Sequence, residues 1–177
     1  MTERETQLAA LGRDILEAAL LRGDFVLSSG ARSDYYLDKY LFETRPGILR
    51  RLAPLLAELV PAGTDRLAGT ELGAVALAAA LSLETDLPFV IVRKATKGYG
   101  TANLIEGQLR RGDTVVLVED VVTSGAQAIR AAEAVVAAGG TVARIVAVID
   151  REQGGPAAIE AAGFTVTSLF DRTSLGL

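Results

Sequence analysis

Two adjacent carboxylates are followed at short spacing by hydroxyl-bearing and small residues in the middle of the chain. Segment 115–127 has the sequence VVLVEDVVTSGAQ, in which Glu119 and Asp120 come directly after four apolar residues. The two carboxylates can accept hydrogen bonds from the vicinal hydroxyls of a sugar or hold a hydrated cation. The hydroxyls and backbone amides of residues 123–125 can bind a phosphate, and a helix that begins near Ala126 adds its positive end. These residue types in this order predict a site for a sugar phosphate.

An ordinary turn after a buried strand is the alternative interpretation of this segment. Asp, Thr, Ser and Gly all favour turns, so the turn by itself has a simple explanation. It does not explain why two carboxylates stand where the strand leaves the core. The four apolar residues at 115–118 are typical of a strand that is covered on both faces, as in a parallel sheet.

The elements that must position this segment alternate between strands and helices. The pattern predicts strands at 66–69, 89–93, 114–118, 142–149 and 164–169, and helices at 74–83, 126–138 and 156–162. Such alternation is typical of an α/β fold with a parallel sheet flanked by helices. Nearer the N-terminus, helical spacing of apolar residues predicts a first helix that ends near Gly23 and a second helix from Pro46 to about residue 61. The stretch 25–38 between them is predicted to be extended chain with turns.

Further polar residues follow other predicted strands, at the edge where open α/β sheets bind ligands. The loop 69–73 contains Thr70 and Glu71 and offers backbone amides to a pyrophosphate, although an ordinary strand-to-helix turn has the same composition. Segment 93–100 carries three cations in five residues, which can neutralise a polyphosphate or simply form a solvated surface loop. Arg151 can bind a planar carboxylate with two hydrogen bonds, or it can form a surface ion pair.

Composition permits an enzyme without selecting one. The 177 residues include no Cys and no His, and the net charge is −4. Disulfides, thiolate catalysis, histidine metal ligands and a Ser-His-Asp triad are therefore excluded. The apolar stretches are interrupted well before the ~18 residues that a membrane span requires, and the polar N-terminus is unlike a secretory signal. We expect a cytoplasmic protein that binds no membrane, and the negative charge argues against a general nucleic-acid surface.

Segment 115–127 resembles the phosphoribosyl pyrophosphate (PRPP) motif of type I phosphoribosyltransferases, which consists of an apolar run, two acidic residues, two apolar residues, Thr and a turn of small residues. Over about residues 8–170, the chain resembles orotate phosphoribosyltransferases in particular. The discriminating match is the N-terminal stretch FVLSSGARSDYYLD at 25–38. The other matches are RKATK at 93–97 with the family's mobile catalytic loop, 119–127 with its PRPP loop, and Asp150-Arg151 with an element on the side of the base.

The resemblance implies the architecture and the assembly. The fold would be that of type I phosphoribosyltransferases, with a mainly parallel central sheet flanked by helices and a small hood formed by the N-terminal segment. Residues 1–177 would form one domain, with the N-terminal helix and hood at about 1–40 and the PRPP-binding core at about 64–170. The working unit would be a homodimer in which Lys94 reaches the site of the neighbouring subunit.

The resemblance also implies an activity and a role for each matching residue. Ribose 5-phosphate would be transferred from PRPP to orotate, giving orotidine 5′-monophosphate and pyrophosphate in pyrimidine (UMP) biosynthesis. Lys97, Glu119 and Asp120 would be catalytic, and Thr70 and Glu71 would form the pyrophosphate loop. Orotate would contact Thr123 and Arg151. The PRPP contacts would be Arg93, Lys94, Lys97, Tyr99, Glu119, Asp120, Val121, Val122, Thr123, Ser124, Gly125, Ala126 and Gln127. Magnesium, the implied cofactor, would be held by PRPP and water and not by direct protein ligands.

Two positions depart from the family pattern. Ser28 stands where the family commonly has Lys, so any contribution of that Lys to binding orotate or pyrophosphate must be absent or come from another residue. Tyr99 stands where the family commonly has His, and a phenol with an ordinary pKa of ~10 is no cation near neutral pH. Two other functions are compatible with segment 115–127. A purine or uracil phosphoribosyltransferase would share it, and a PRPP-sensing regulator could keep it without catalysis.

Overall fold

The computed structural model describes residues 2–26, 30, 32–94 and 104–177. In chain order its elements are α1 (Glu3–Ala19), β1 (Leu20–Val26), β2 (Arg32–Leu37), α2 (Lys39–Glu43), α3 (Pro46–Ala57), β3 (Arg66–Thr70), α4 (Ala74–Thr85), β4 (Phe89–Val92), β5 (Ile105–Glu106), β6 (Thr114–Val122), α5 (Ala126–Ala137), β7 (Thr141–Asp150), α6 (Gly155–Ala161) and β8 (Val166–Asp171). Among the described residues, no helix combines the length and the apolar character that crossing a bilayer requires.

A six-stranded sheet in the order β5-β4-β3-β6-β7-β8 forms the centre of the molecule. All neighbouring strands are parallel except β5, which is antiparallel to β4. The carboxyl ends of the five parallel strands therefore meet at one edge, the edge where ligands of open α/β sheets bind. The predicted mainly parallel sheet is confirmed.

The apolar run of β6 is buried on both faces of the sheet. Val116 and Val118 pack in one hydrophobic cluster with residues of α1, α3 and α4. Val115 and Leu117 pack in a second cluster with residues of α5 and α6. Side chains alternate between the two faces of a strand, so an uninterrupted apolar run is what a sheet with helices on both sides requires.

The N-terminal segment forms a helix and a two-stranded antiparallel sheet outside the central sheet. Thr2 and Glu5 form a capping box at the start of α1, with Oγ1 of Thr2 accepting from the Glu5 amide at 3.2 Å. The prediction that this helix ends near Gly23 is wrong. It ends at Ala19 because the following leucines belong to β1, where Leu20 pairs with Leu37 and Leu21 with Tyr36 of β2. The β1–β2 pair corresponds to the expected hood.

Other differences from the sequence-based expectations concern boundaries and short elements. Strand β6 continues to Val122, so the two carboxylates lie within the strand and do not follow it. Helix α3 ends at Ala57 and not near residue 61. The five-residue helix α2 and the two-residue strand β5 were not predicted, because elements this short show no periodicity. The division into a hood at about 1–40 and a core at about 64–170 stays a prediction.

Candidate active site

A cavity of about 970 Å³ lies between the β1–β2 hairpin and the carboxyl edge of the central sheet. We call it the larger cavity. Its walls come from the hairpin, from the end of β6 with the turn that follows, and from the residues after β7. The lining residues are Leu21, Phe25, Val26, Tyr36, Leu37, Lys39, Glu119, Val121, Val122, Thr123, Ser124, Gly125, Gln127, Ala128, Arg151 and Gln153.

A second cavity of about 440 Å³, the smaller cavity, adjoins the first at Gln127, which lines both. The smaller cavity brings together Thr70, Glu71, Arg93 and Lys94, which come from the ends of β3 and β4. The two cavities thus contain most of the residues that the sequence predicted for the site. Asp120 and Ala126 line neither cavity. Ser28, Lys97 and Tyr99 lie outside the described residues.

The turn between β6 and α5 presents the start of a helix to the larger cavity. Thr123 and Ser124 are exposed, whereas Gly125 is buried with a φ of +79°. A Cβ at Gly125 would lie 2.8 Å from the carbonyl oxygen of Gly155, so both the conformation and the close approach favour glycine. Among the described residues, no side chain caps the N-terminus of α5. The amides of its first turn are therefore available to an anion.

Glu119 is almost completely buried at the floor of the larger cavity. Its Oε2 accepts a hydrogen bond of 2.9 Å from the hydroxyl of Thr70 on the neighbouring strand β3. Burial, followed by the charge of the adjacent Asp120, raises the pKa of Glu119 to about 8. Burial thus favours the protonated form of Glu119 in the ligand-free protein.

Asp120 points to the opposite face of β6 from Glu119 and forms an ion pair with Lys39. Nζ of Lys39 lies 2.6 Å from Oδ2 of Asp120, and the amide of Val121 donates to Oδ1 at 2.6 Å. Both oxygens of this carboxylate are thus engaged, and the side chain is almost completely buried. Although burial opposes the shift, the Asp120 carboxylate raises the pKa of Lys39 above its ordinary value, so Lys39 carries a positive charge.

Glu43 on α2 is a second buried carboxyl group beside this ion pair. No donor among the described residues reaches its oxygens. Burial, followed by the Asp120 carboxylate, raises the pKa of Glu43 to about 8. A proton on Glu43 then makes it a donor toward Asp120. A side chain at residue 73 would overlap the Asp120 carboxylate and lie 2.8 Å from both Glu43 oxygens, which explains the glycine there.

The sequence analysis missed Lys39, which lines the larger cavity, and Glu43, which lies beside the ion pair of Lys39 with Asp120. They lie on a five-residue helix, and Lys39 is separated from Asp120 by 81 positions. One signal was available, since the DKYLFE segment at 38–43 places charged residues on both sides of the apolar Leu41-Phe42 pair. Phe42 is fully buried, so α2 is anchored in the core and fixes the backbone of both residues.

Arg93 lies between two carboxylates at the entrance of the smaller cavity. Its guanidinium is 3.4 Å from Oε1 of Glu106 and 4.0 Å from Oε1 of Glu71. Glu71 also accepts a hydrogen bond of 2.9 Å from the amide of Lys94, which ties the loop after β3 to the end of β4. The peptide bond between Glu71 and Leu72 is cis. Lys94 itself is exposed.

Arg151 lines the larger cavity and connects the core to the β1–β2 hairpin. Its guanidinium carbon lies 5.6 Å from the centre of the Tyr35 ring, within the range of a cation–π interaction. The amide of Arg151 donates to the carbonyl of Val122 at 2.9 Å and so fixes the backbone next to the β6–α5 turn. Nε is buried without a partner among the described residues. This guanidinium stands within the same cavity as Thr123 and can receive a planar anion there.

The donor set fits a metal ion that arrives with a ligand. Among the described residues, no group of three or more carboxylates is arranged to hold a metal ion. Mg²⁺ binds hard oxygen ligands, retains several waters and commonly uses one or two carboxylates together with substrate phosphates. Phosphate oxygens and water can therefore complete a coordination shell here that the protein alone does not provide.

The chain has a mainly parallel sheet and an N-terminal hairpin, and its carboxylate pair leads into a turn whose hydroxyls and amides can bind a phosphate. These features define the chain as a phosphoribosyltransferase. Residues 42–167 match the phosphoribosyl transferase domain family. The orotate phosphoribosyltransferase of Methanocella arvoryzae is 50% identical over 153 residues, which are 86% of this chain and 87% of that protein. The chain belongs to the orotate phosphoribosyltransferase family.

Solved structures of relatives have the same fold over nearly the whole chain. The orotate phosphoribosyltransferase of Mycobacterium tuberculosis in complex with Fe(III) dicitrate superimposes with a TM-score of 0.87 at 32% identity, covering 97% of this chain and 99% of that one. The same enzyme in complex with PRPP gives a TM-score of 0.82 at 31% identity, with the same coverage. The expected type I phosphoribosyltransferase fold is confirmed.

Proposed function

We propose that this protein transfers the ribose 5-phosphate group of PRPP to orotate, producing orotidine 5′-monophosphate and pyrophosphate. The observation that carries the proposal is that one cavity is lined by Glu119, by Arg151 and by the turn at residues 123–125. A sugar phosphate and a planar anionic base can then lie side by side in one enclosure. The family membership of the chain supports the same reaction.

In this proposal, PRPP lies across both cavities. Its 5′-phosphate binds the hydroxyls and amides of residues 123–127 at the start of α5. The ribose hydroxyls face the carboxyl group of Glu119, the member of the carboxylate pair that lines the larger cavity. The pyrophosphate extends past Gln127 toward Thr70, Glu71, Arg93 and Lys94 in the smaller cavity, which adjoins the larger one at that residue.

Orotate then binds on the hairpin side of the ribose. Its carboxylate pairs with the guanidinium of Arg151, which Tyr35 supports from the hairpin. The exposed hydroxyl of Thr123 donates to a polar atom of the base. Since orotate is already anionic, its ring nitrogen needs alignment with the anomeric carbon more than it needs a general base.

The chemistry breaks the bond between the anomeric carbon and the pyrophosphate oxygen and forms a bond between that carbon and the orotate ring nitrogen. The proton of that nitrogen leaves to the departing pyrophosphate or to water. Positive charge develops on the ribose and negative charge on the leaving pyrophosphate. Arg93 and Lys97 stabilise the leaving group by electrostatic attraction. Mg²⁺ bound through PRPP oxygens and water supplies further charge neutralisation. For this role, the guanidinium of Arg93 leaves its ion pairs with Glu71 and Glu106 and binds the pyrophosphate.

We also infer that the protein acts as a homodimer in which Lys94 serves the neighbouring site. Lys94 is exposed, and the neighbouring Leu72 is an exposed large apolar side chain on the same loop pair. An exposed large apolar side chain suits the buried part of a contact with a second subunit, and the ammonium of Lys94 suits its polar rim. Sedimentation equilibrium tests the dimer, and a purely monomeric active protein contradicts it.

The reaction is tested by following the loss of orotate absorbance with PRPP and Mg²⁺, with hypoxanthine, guanine, adenine and uracil assayed in parallel by product analysis. We expect orotate turnover that stops when Mg²⁺ is chelated. Turnover of another base in place of orotate overturns the assignment of Arg151. PRPP binding without turnover of any base indicates a PRPP-sensing regulator.

A further inference from the structure

Lys39 brings a cation to the larger cavity from an element outside the family motifs. It is the first residue of α2, its side chain is 27% exposed, and it lines the cavity together with Glu119 and Thr123. We propose that Lys39 is a further PRPP-binding residue, whose ammonium contacts an anionic oxygen of PRPP while Asp120 holds it in place. The proposal rests on the proposed function, because it assigns a contact within the same site.

The position of Lys39 is fixed from several sides. Asp38 caps the start of α2 by accepting a hydrogen bond of 3.2 Å from the amide of Tyr40, and its own amide donates to Ala19 at 2.9 Å. Phe42 anchors the helix in the core. The ammonium itself is held at 2.6 Å by Oδ2 of Asp120. A cation restrained in this way loses little conformational entropy when it binds a ligand.

The ammonium retains donors for a ligand. A lysine has three N–H donors, and within the described part of the chain Asp120 is the one acceptor bonded to Nζ. Asp120 cannot turn away easily, because its other oxygen accepts from the Val121 amide. The remaining donors of Lys39 are bonded to no other described acceptor, although Nζ also lies 5.5 Å from the centre of the Tyr40 ring. The side chain is 27% exposed where it lines the larger cavity, so a ligand there can reach the ammonium.

The distribution of cations in the larger cavity indicates that Lys39 contacts PRPP and not the base. Of the described residues that line this cavity, two carry a positive charge, Lys39 and Arg151. Arg151 is committed to the orotate carboxylate in the proposed function. Lys39 is then the cation left for the phosphosugar, beside Glu119, which faces the ribose hydroxyls. Arg93 and Lys94 lie in the other cavity.

Charge balance gives Lys39 a second reason to be needed. Glu43, Glu119 and Asp120 place three carboxyl groups close to where a polyanion has to bind. Lys39 compensates the charge of Asp120, and the protons on the other two keep the cluster neutral. Without the ammonium, the cluster would repel PRPP in a low-dielectric setting, where such interactions are strong.

The test compares the affinity for PRPP in the presence of Mg²⁺ between the wild type and Lys39→Met, measured by calorimetry. Losing a charged hydrogen bond should weaken binding roughly tenfold to a hundredfold. Lys39→Arg should keep part of the affinity, and the KM for orotate should change much less than the KM for PRPP. Arg4→Met is the matched control, because it also removes one positive charge from an ion pair. Arg4 pairs with Glu58, each side chain is 49% exposed, and neither residue lines either cavity. It should bind PRPP as the wild type does.

A second pair of variants separates direct contact from a role through Asp120, because residue 120 is neutral in both and leaves no unpaired buried carboxylate. Asp120→Asn is compared with Asp120→Asn/Lys39→Met. A direct contact predicts that the double variant binds PRPP more weakly than Asp120→Asn. Equal affinities of these two variants mean that Lys39 acts only by positioning Asp120, which overturns the proposal. If the wild type turns over orotate and Lys39→Met binds PRPP as tightly as the wild type, this inference alone is overturned. If the wild type binds no PRPP, the proposed function is overturned as well.

Discussion

The hydroxyl of Thr70 donates a hydrogen bond of 2.9 Å to Oε2 of Glu119, joining the ends of two adjacent strands. Both side chains are almost completely buried. Thr70 ends β3, where the proposed pyrophosphate loop begins, and Glu119 belongs to β6, where the ribose is proposed to bind. The orientation of the carboxyl group thus depends on the strand that carries the neighbouring loop.

Replacing Thr70 by Val should weaken the site while preserving the shape of the strand. The Glu119 carboxyl loses its hydrogen bond, which we expect to lower the free energy of unfolding by about 1 kcal/mol. The same loss of orientation should weaken PRPP binding by about fivefold. Urea denaturation and calorimetric titration with PRPP measure the two effects.

Thr85→Val is the control for this change, since the Thr85 hydroxyl donates to a backbone carbonyl within α4, away from both cavities. Its PRPP affinity should equal that of the wild type. If Thr70→Val also binds PRPP with unchanged affinity, the hydrogen bond has no part in binding.

The stability of the ligand-free protein should fall as the pH rises from about 4.5 to about 8. Burial raises the pKa of both Glu119 and Glu43 from 4.5 to about 8, so in this window the folded state keeps protons that the unfolded state has lost. The unfolded state binds fewer protons, and the free energy of unfolding therefore decreases with pH. Asp113 contributes to the pH dependence of the free energy of unfolding with the opposite sign. Although burial opposes the shift, Arg66 lowers the pKa of Asp113 below 3.8, so its contribution is lost only at more acidic pH.

Urea denaturation at several pH values between 5 and 9 measures this dependence. Glu43→Gln removes one of the two titrations and should make the decrease shallower. A variant with the same slope as the wild type would show that Glu43 does not titrate in this range. PRPP binding should weaken over the same pH range, since deprotonation makes the site more negative.

The sheet could be predicted from the sequence, since its information is local. The strand that became β6 is an unbroken apolar run, and helix α5 after it has an apolar face at helical spacing, so this part of the alternation was visible without any long-range contact. The end of α1 could not be predicted in this way. Leu20 and Leu21 continue a helical apolar pattern, and only their pairing with β2 assigns them to a strand.

The site was predictable where it follows a family motif and not where it depends on distant contacts. The carboxylates of β6 and the turn after them were predicted from one short segment, and the structure places Glu119 and the turn in one cavity. The sequence analysis did not predict that Glu119 and Asp120 point to opposite faces of the sheet. It placed both carboxylates after the strand, whereas side chains alternate between faces only within a strand. Lys39 was missed because its partner lies 81 positions away.

Replacing Arg151 by Ala should impair the use of orotate while PRPP affinity stays unchanged. Arg151 lines the larger cavity, and its guanidinium carbon lies 5.6 Å from the centre of the Tyr35 ring in the hairpin. Loss of a bidentate charged contact should raise the KM for orotate by roughly tenfold to a hundredfold. Steady-state kinetics with orotate varied at saturating PRPP gives this value.

Tyr35 variants refine the assignment of Arg151. Tyr35→Phe keeps the aromatic face and should retain the orotate KM, whereas Tyr35→Leu removes the cation–π interaction and should raise it severalfold. An orotate KM and a kcat/KM that are both unchanged in Arg151→Ala would show that the substrate carboxylate binds elsewhere.

Lys97→Ala should lower kcat strongly with little effect on orotate binding. The residue lies outside the described part of the chain, so this prediction depends on the match of segment 93–97 to the family's catalytic loop. Removing a group that stabilises developing charge commonly costs about 10²- to 10³-fold in kcat. Single-turnover rates separate the chemical step from product release, and an unchanged kcat removes Lys97 from the mechanism.

Gly73→Ala should damage the site although the backbone conformation permits alanine. Gly73 has φ −60° and ψ −48°, which is ordinary helical geometry. The obstacle is steric, since a methyl group would overlap the Asp120 carboxylate and approach Glu43. We expect a loss of about 1 to 3 kcal/mol in the free energy of unfolding, as for other overpacked positions, together with weaker PRPP binding. Gly47→Ala is the control, because a methyl group there meets no atom within 4 Å. If Gly73→Ala is as stable and as active as Gly47→Ala, the carboxyl groups beside residue 73 can move apart, and the rigid placement of Asp120 that Lys39 depends on is wrong.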